Sequence, residues 1–121
     1  MPVRIAALVL TLGLGTAAAF AAGAKMKPAE IQAVFFDGKP FTASAPSGTK
    51  FKMVFTPDGK TSREPVGKAG GKGTGTWKVN DDGFCTAWGS SKTSNCYSLA
   101  PDGNNKWVVM KGPSVIATWT K

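Results

Sequence analysis

Apolar and polar residues alternate along most of the chain after residue 49, and turn sequences interrupt the alternation at short intervals. In the clearest run, residues 50–55, Phe51, Met53 and Phe55 fall on one face of a strand, and the lysines between them fall on the other. Turn sequences separate such runs at residues 46–48, 56–60, 80–83, 89–92, 100–105 and 111–114. The pattern predicts a mainly β fold, an antiparallel meander of about six to eight strands that forms a small barrel or half-barrel.

A helical pattern precedes the strands, in residues 27–36. Ile31, Val34 and Phe35 have the i, i+3, i+4 spacing of a single helix face. Gly38 follows the pattern and is a typical end signal. We therefore expect one short N-terminal helix that packs on the strands.

The first 24 residues have the composition of a secretory signal peptide. Arg4 supplies a positive charge, residues 5–20 are uncharged and mostly apolar, and small residues suited to cleavage precede Lys25. A membrane anchor is the alternative, because about 20 such residues can cross a bilayer. We expect residues 1–24 to be a cleaved signal peptide and residues 25–121 to be a single disulfide-stapled β domain, periplasmic or secreted.

Three hairpins drawn from the turn positions separate the side chains into two faces. One hairpin brings Cys85 opposite Cys96, and the last brings Leu99 opposite Trp107. One face is apolar and comprises Trp77, Val79, Phe84, Trp88, Tyr97, Leu99, Trp107 and Val109. The other face comprises Lys78, Cys85, Ala87, Ser94, Cys96 and Ser98. Because a slip of one residue would mix the two sets, the separation supports the registers.

The two cysteines of the chain, Cys85 and Cys96, lie side by side in this register. Neighbouring positions on adjacent strands favour a disulfide. A zinc site is disfavoured because the chain has no histidine and no other thiolate, and a redox pair would have the shorter Cys-x-x-Cys spacing. The predicted disulfide indicates an oxidising compartment.

Side chains suited to catalysis are few. The absence of histidine removes the commonest acid–base group and metal ligand. Most of the acidic residues lie in glycine-containing turns, where aspartate bonds the backbone: Asp37, Asp58, Asp81, Asp82 and Asp102. The sequence therefore predicts no enzymatic activity, no metal site and no cofactor.

The predicted mature chain is strongly basic. Without Arg4, the net charge of +8 falls to +7, and Arg63 is the only arginine that remains. Dispersed lysines attract anionic partners at long range, whereas close phosphate recognition favours arginine. We expect the partner to be an anionic envelope component or a protein, not nucleic acid, bound by lysines and partly exposed tryptophans. The candidate binding residues are Trp119, which is the first choice, Trp88, Lys68, Lys72, Lys92 and Lys106.

Several short motifs resemble a small exported family of alphaproteobacteria known as domain of unknown function 995. The resemblance lies in the early helix sequence AEIQAVFF, in Gly75-Thr76-Trp77, and in Cys85, Trp88, Cys96 and Tyr97. It implies export and a similar fold, but no activity. A looser likeness at the level of fold links the chain to periplasmic barrel proteins that inhibit lysozymes or proteases.

Together these features predict an exported, non-enzymatic binding or interaction protein of the bacterial cell envelope. An inhibitor of an envelope-active hydrolase, either a lysozyme or a protease, is one alternative, and it would present a protruding loop. A small-molecule binder is another, and it would present an apolar or aromatic pocket at the mouth of the barrel.

Overall fold

The computed structural model describes residues 24–67 and 71–121, and within them one helix is followed by eight strands. The elements are α1 (Pro28–Phe35), β1 (Phe41–Ser44), β2 (Lys50–Phe55), β3 (Lys60–Pro65), β4 (Gly73–Val79), β5 (Phe84–Trp88), β6 (Asn95–Pro101), β7 (Lys106–Lys111) and β8 (Ser114–Thr120). The predicted mainly β fold and the short helix are confirmed. The predicted signal peptide and Lys68 lie outside the described residues.

The strands form a closed antiparallel barrel in which each strand pairs with the next and β8 pairs with β1. Because neighbouring strands run in opposite directions, the connections alternate between the two ends of the barrel. Residues 45–49, 66–72, 89–94 and 112–113 connect strands at one end. Residues 56–59, 80–83 and 102–105 connect them at the other end, where the chain also passes from α1 into β1.

The predicted registers hold for β4, β5 and β6, and Cys85 lies opposite Cys96. The predicted pairing of β6 with β7 is wrong by two residues, because Leu99 lies opposite Val109 and Pro101 opposite Trp107. Pro101 ends the strand, and residues 102–105 form the turn, with Asn105 at a φ of 56°. A shift of two residues preserves the face of every side chain, so the predicted apolar face does lie inside the barrel.

Helix α1 closes one end of the barrel with aromatic side chains. The Phe35 ring lies 4.8 Å from the Trp107 ring and 4.9 Å from the Trp119 ring. The Phe36 ring stacks on Phe55 at 4.5 Å. We call this end the plugged end, and its packed rings form most of the hydrophobic core.

The Cys85–Cys96 disulfide joins β5 to β6 on the outward face of the barrel. Only three residue pairs connect these two strands, compared with five between β4 and β5. The covalent bond therefore reinforces a short ladder, which is the role that the sequence predicts for it.

No helix among residues 24–67 and 71–121 has the length and the apolar character needed to cross a membrane.

Candidate ligand site at the open mouth of the barrel

The end opposite α1 is open and leads into a cavity of about 190 Å³. We call this end the mouth. Aromatic and aliphatic side chains line most of the cavity, including Phe51, Met53, Phe55, Phe84, Trp88, Tyr97, Val109, Ile116 and Trp119. Ser44, Arg63 and Thr86 add polar groups to this lining. The interior of an eight-stranded barrel can be filled by side chains or can hold one small ligand. In this barrel, side chains fill the plugged end, and the cavity lies at the mouth.

Small residues at inward positions near the mouth create the cavity. Ala43, Gly73, Gly75 and Ala117 face inward there, as their pairing with inward-facing neighbours shows. One layer deeper, the inward positions hold large aromatic side chains: Phe41, Phe55, Trp77, Phe84, Trp107 and Trp119. The cavity therefore follows from the order of small and large residues along the strands.

The two inward glycines of β4 allow Trp88 and Arg63 to pack closely against the wall. A Cβ atom added at Gly75 would lie 3.1 Å from the Trp88 ring and would collide with the Ala87 carbonyl. A Cβ atom added at Gly73 would lie 3.4 Å from Nε of Arg63. Glycine is needed at position 75 because the Ala87 carbonyl and the Trp88 ring approach its backbone, whereas Gly73 only leaves room beside the Arg63 side chain.

Arg63 is held at the mouth by two aromatic rings. It lies opposite Met53 in the β2–β3 register, and this pairing turns its side chain toward the barrel interior. Its guanidinium carbon is 4.2 Å from the centre of the Trp88 ring and 5.9 Å from that of Phe51. Such stacking is a cation–π interaction, which fixes a guanidinium without using its N–H groups.

No carboxylate neutralises Arg63. All seven acidic side chains of the chain fall within the described ranges. The ion pairs formed there all use lysines: Lys52–Glu64, Lys106–Asp102 and Lys121–Asp37. Arg63 is also exposed to solvent through the mouth, so its N–H groups remain available to an incoming anion.

Acidic residues are distributed unequally between the two ends. The four connections at the mouth contain no aspartate or glutamate, although they contain lysines. The acidic residues near the plugged end are Glu30, Asp37, Asp58, Asp81, Asp82 and Asp102. Glu64, on β3, is opposite Lys52 on the outward side of the sheet. The mouth therefore has a positive character that the plugged end lacks.

The structure brings together some of the predicted binding residues. Trp88 and Trp119 both line the cavity, and Trp88 is half-buried. The expectation that Trp119 is partly exposed is wrong: it is 4% exposed, because β8 pairs with β1 and α1 covers its ring. Whether either tryptophan contacts a ligand stays a prediction.

The predicted lysines divide between the two ends. Lys72 and Lys92 are exposed on connections at the mouth. Lys106 begins β7 at the plugged end, where its Nζ lies 4.0 Å from an oxygen of Asp102. It is therefore remote from the mouth lysines along the barrel.

Arg63 is the main site residue missing from the sequence-based candidates. It lies in KTSREP, which has no apolar alternation to mark an inward face. The signal that could have identified it is the turn sequence at residues 56–60, which places Phe55 opposite Thr61 and therefore Arg63 opposite Met53 on the apolar face of β2.

Comparison of the chain with protein-family models, with curated proteins and with solved structures finds no match. The resemblance to domain of unknown function 995 therefore stays a prediction.

Proposed function

We propose that this is an exported, non-enzymatic binding protein that takes a small apolar ligand into the mouth of its barrel. The observation that supports this most directly is the difference between the ends: one is filled by aromatic rings from α1, whereas the other opens into an aromatic-lined cavity. An aromatic pocket with a few polar groups is typical of small-molecule sites.

The cavity volume limits the size of the ligand. Pockets for drug-sized molecules measure roughly 300–1,000 Å³, whereas an apolar cavity of about 150 Å³ accepts benzene. A cavity of about 190 Å³ therefore suits one aromatic ring with a short substituent, or a short aliphatic chain.

The chemistry around the cavity favours binding over catalysis. The chain has no histidine, and the cavity lining includes no acidic side chain or thiol. General acid–base catalysis uses such groups most often, and a hydroxyl nucleophile such as Ser44 or Thr86 would need one of them as its base. Their absence from the lining supports a function in which the ligand is held unchanged.

Filling the cavity tests the proposal. The probe is 3-phenylpropanol, an uncharged molecule with one ring, and tryptophan fluorescence follows its binding because Trp88 and Trp119 line the cavity. Ala117→Leu adds volume inside the cavity. Ala87→Leu makes the same change at a half-buried alanine on the outward face of β5.

We expect saturable binding to the wild-type protein, at least about tenfold weaker binding to Ala117→Leu, and a change of less than about twofold for Ala87→Leu. Equal binding to the two leucine variants would contradict the proposal, as would failure of the wild-type protein to bind both this probe and its carboxylate analogue, 3-phenylpropionate.

Export is supported by the disulfide, because such bonds persist in oxidising compartments. The intact mass of protein from the periplasmic fraction tests it, and we expect the chain to begin at Ala22 or Lys25. Retention of residues 1–21 in a membrane fraction would contradict export as a cleaved protein. Inhibition of a lysozyme or a protease stays a prediction.

A further inference from the structure

We infer that the ligand bound at the mouth is a small molecule with an apolar body and a carboxylate group, and that Arg63 binds the carboxylate. This inference rests on the proposed function and adds the chemical class of the ligand. It joins an apolar cavity of limited volume, a stacked guanidinium at its lip and a positive rim around it.

The position of Arg63 suits a headgroup at the boundary between cavity and solvent. The same side chain lines the cavity and is exposed through the mouth. A ligand whose apolar part enters the barrel would therefore keep its polar end beside the guanidinium. Molecules with an apolar body and a single polar end meet this requirement.

The stacking of Arg63 favours a carboxylate as that polar end. Trp88 and Phe51 lie against the guanidinium at 4.2 Å and 5.9 Å. Because a cation–π contact does not use the N–H groups of the guanidinium, these donors are left for bonding. These donors match the two oxygens of a carboxylate in a bidentate pair.

Among residues 24–67 and 71–121, no carboxylate pairs with the charge of Arg63. A carboxylate already paired to it would compete with a ligand, but the acidic side chains of the described residues either pair with lysines or lie at the plugged end. An anionic headgroup would therefore gain a charge-assisted interaction without first displacing a protein carboxylate.

The positive rim adds long-range selection for anions. The connections at the mouth include Lys72 and Lys92, and Lys50 and Lys111 lie at strand ends beside them. A cluster of like charges at the entrance attracts ligands of opposite charge and lowers the local concentration of cations. Arg63 is the one side chain among these that also lines the cavity, so it supplies the short-range contact.

A pair of probes that differ only in the headgroup tests the inference. The pair is 3-phenylpropionate and 3-phenylpropanol, each titrated into the oxidised protein and followed by calorimetry and tryptophan fluorescence. We expect the wild-type protein to bind the carboxylate about 10- to 100-fold more tightly than the alcohol, as a charge-assisted hydrogen-bonded pair would produce.

Two substitutions separate the headgroup contact from net charge. Arg63→Gln removes the guanidinium, and Lys52→Gln removes one positive charge from the outward face of the neighbouring strand. We expect Arg63→Gln to bind the two probes with affinities within about threefold of each other, with little change for the alcohol. Lys52→Gln should retain the wild-type preference.

The possible failures are distinguishable. Equal binding of the two probes to the wild-type protein, or a wild-type preference retained by Arg63→Gln, would overturn the inference and leave the proposed function intact. Equal weakening of both probes by Arg63→Gln would also overturn it, because the residue would then only maintain the cavity. Failure of both probes to bind the wild-type protein would reject the proposed function itself.

Discussion

The two ends of the barrel are built from the same strands but have opposite properties. At the plugged end the inward positions carry aromatic rings, and Ile31 and Phe35 of α1 and the next residue, Phe36, pack between them. At the mouth, small residues occupy several inward positions and leave a cavity that the Phe51 and Trp88 rings help to line. The comparison shows that strand number sets the width of the interior, while side-chain size decides where that interior is filled.

The two ends also differ in how much apolar side-chain surface they expose to solvent. The large hydrophobic side chains that are exposed among the described residues, Val66, Val115 and Ile116, all adjoin connections at the mouth. Burying apolar area stabilises a fold, and leaving it accessible forgoes that stabilisation. We interpret the plugged end as the main source of stability and the mouth as the region kept available for a ligand.

The largest expected effect comes from removing an aromatic ring from the plug. Phe35→Ala should lower the free energy of unfolding by about 3–5 kcal/mol, since Phe35 is fully buried against three other rings. Phe51→Ala, at the mouth, should cost less than about 2 kcal/mol, because Phe51 is only half-buried. Denaturant unfolding measures both values, and equal costs would refute the division of roles between the ends.

Loss of the disulfide should have the next largest effect. The double variant Cys85→Ser with Cys96→Ser should lose about 3 kcal/mol of stability, which is what loop-closure entropy gives for a loop of this length. The native ladder beside the disulfide has only three residue pairs and cannot replace it. Denaturant unfolding of the oxidised wild-type protein and the variant gives the difference. Alkylation of the wild-type protein without reductant serves as the control and should label no thiol.

Local signals were sufficient to predict much of the fold. Alternation and turn chemistry specify strand faces and most hairpin registers, and two cysteines at opposite positions specify their own pairing. The β6–β7 register is the exception, because the turn sequence at residues 100–105 includes Pro101, which is the last residue of its strand in the structure.

The site was less predictable because it depends on contacts between distant parts of the chain. The burial of Trp119 requires β8 to pair with β1 and α1 to cover the same end. The inward direction of Arg63 depends on its pairing with β2, and its stacking on Trp88 joins β3 to β5 across the intervening strand β4. None of these relations is visible within one short window of sequence.

A moderate effect is expected from the rim charges. Lys72→Gln with Lys92→Gln should weaken binding of 3-phenylpropionate about two- to fivefold at low salt, because two positive charges are removed from the mouth. Lys60→Gln with Lys106→Gln removes the same charge from the plugged end and should leave the affinity unchanged. The difference should disappear at about 1 M salt, where the Debye length is about 3 Å. A difference that is insensitive to salt would contradict long-range attraction.

The smallest expected effect is electrostatic and lies at the plugged end. The backbone N–H of Lys39 donates to Asp37 at 3.0 Å, and this bond, together with the nearby ammonium of Lys121, lowers the pKa of Asp37. A carboxylate whose folded pKa lies below its unfolded value of about 3.9 stabilises the fold above that value. The contribution is lost as the pH falls through the folded pKa.

Asp37→Asn should therefore cost no more than about 1 kcal/mol at neutral pH, because the Asp37–Lys121 pair is partly exposed to solvent. The cost should shrink toward zero at acidic pH, where the wild-type carboxylate is protonated as well. Asp81→Asn is the matched control, since Asp81 is an exposed aspartate at the same end that forms no ion pair within the described residues. Thermal unfolding of the three proteins across acidic and neutral pH measures the effect. A cost for Asp37→Asn that persisted at acidic pH would show that Asp37 acts through side-chain packing and not through its charge. A cost that disappears at acidic pH would show that electrostatic interactions add to the stability of the plugged end, which comes mainly from its aromatic rings.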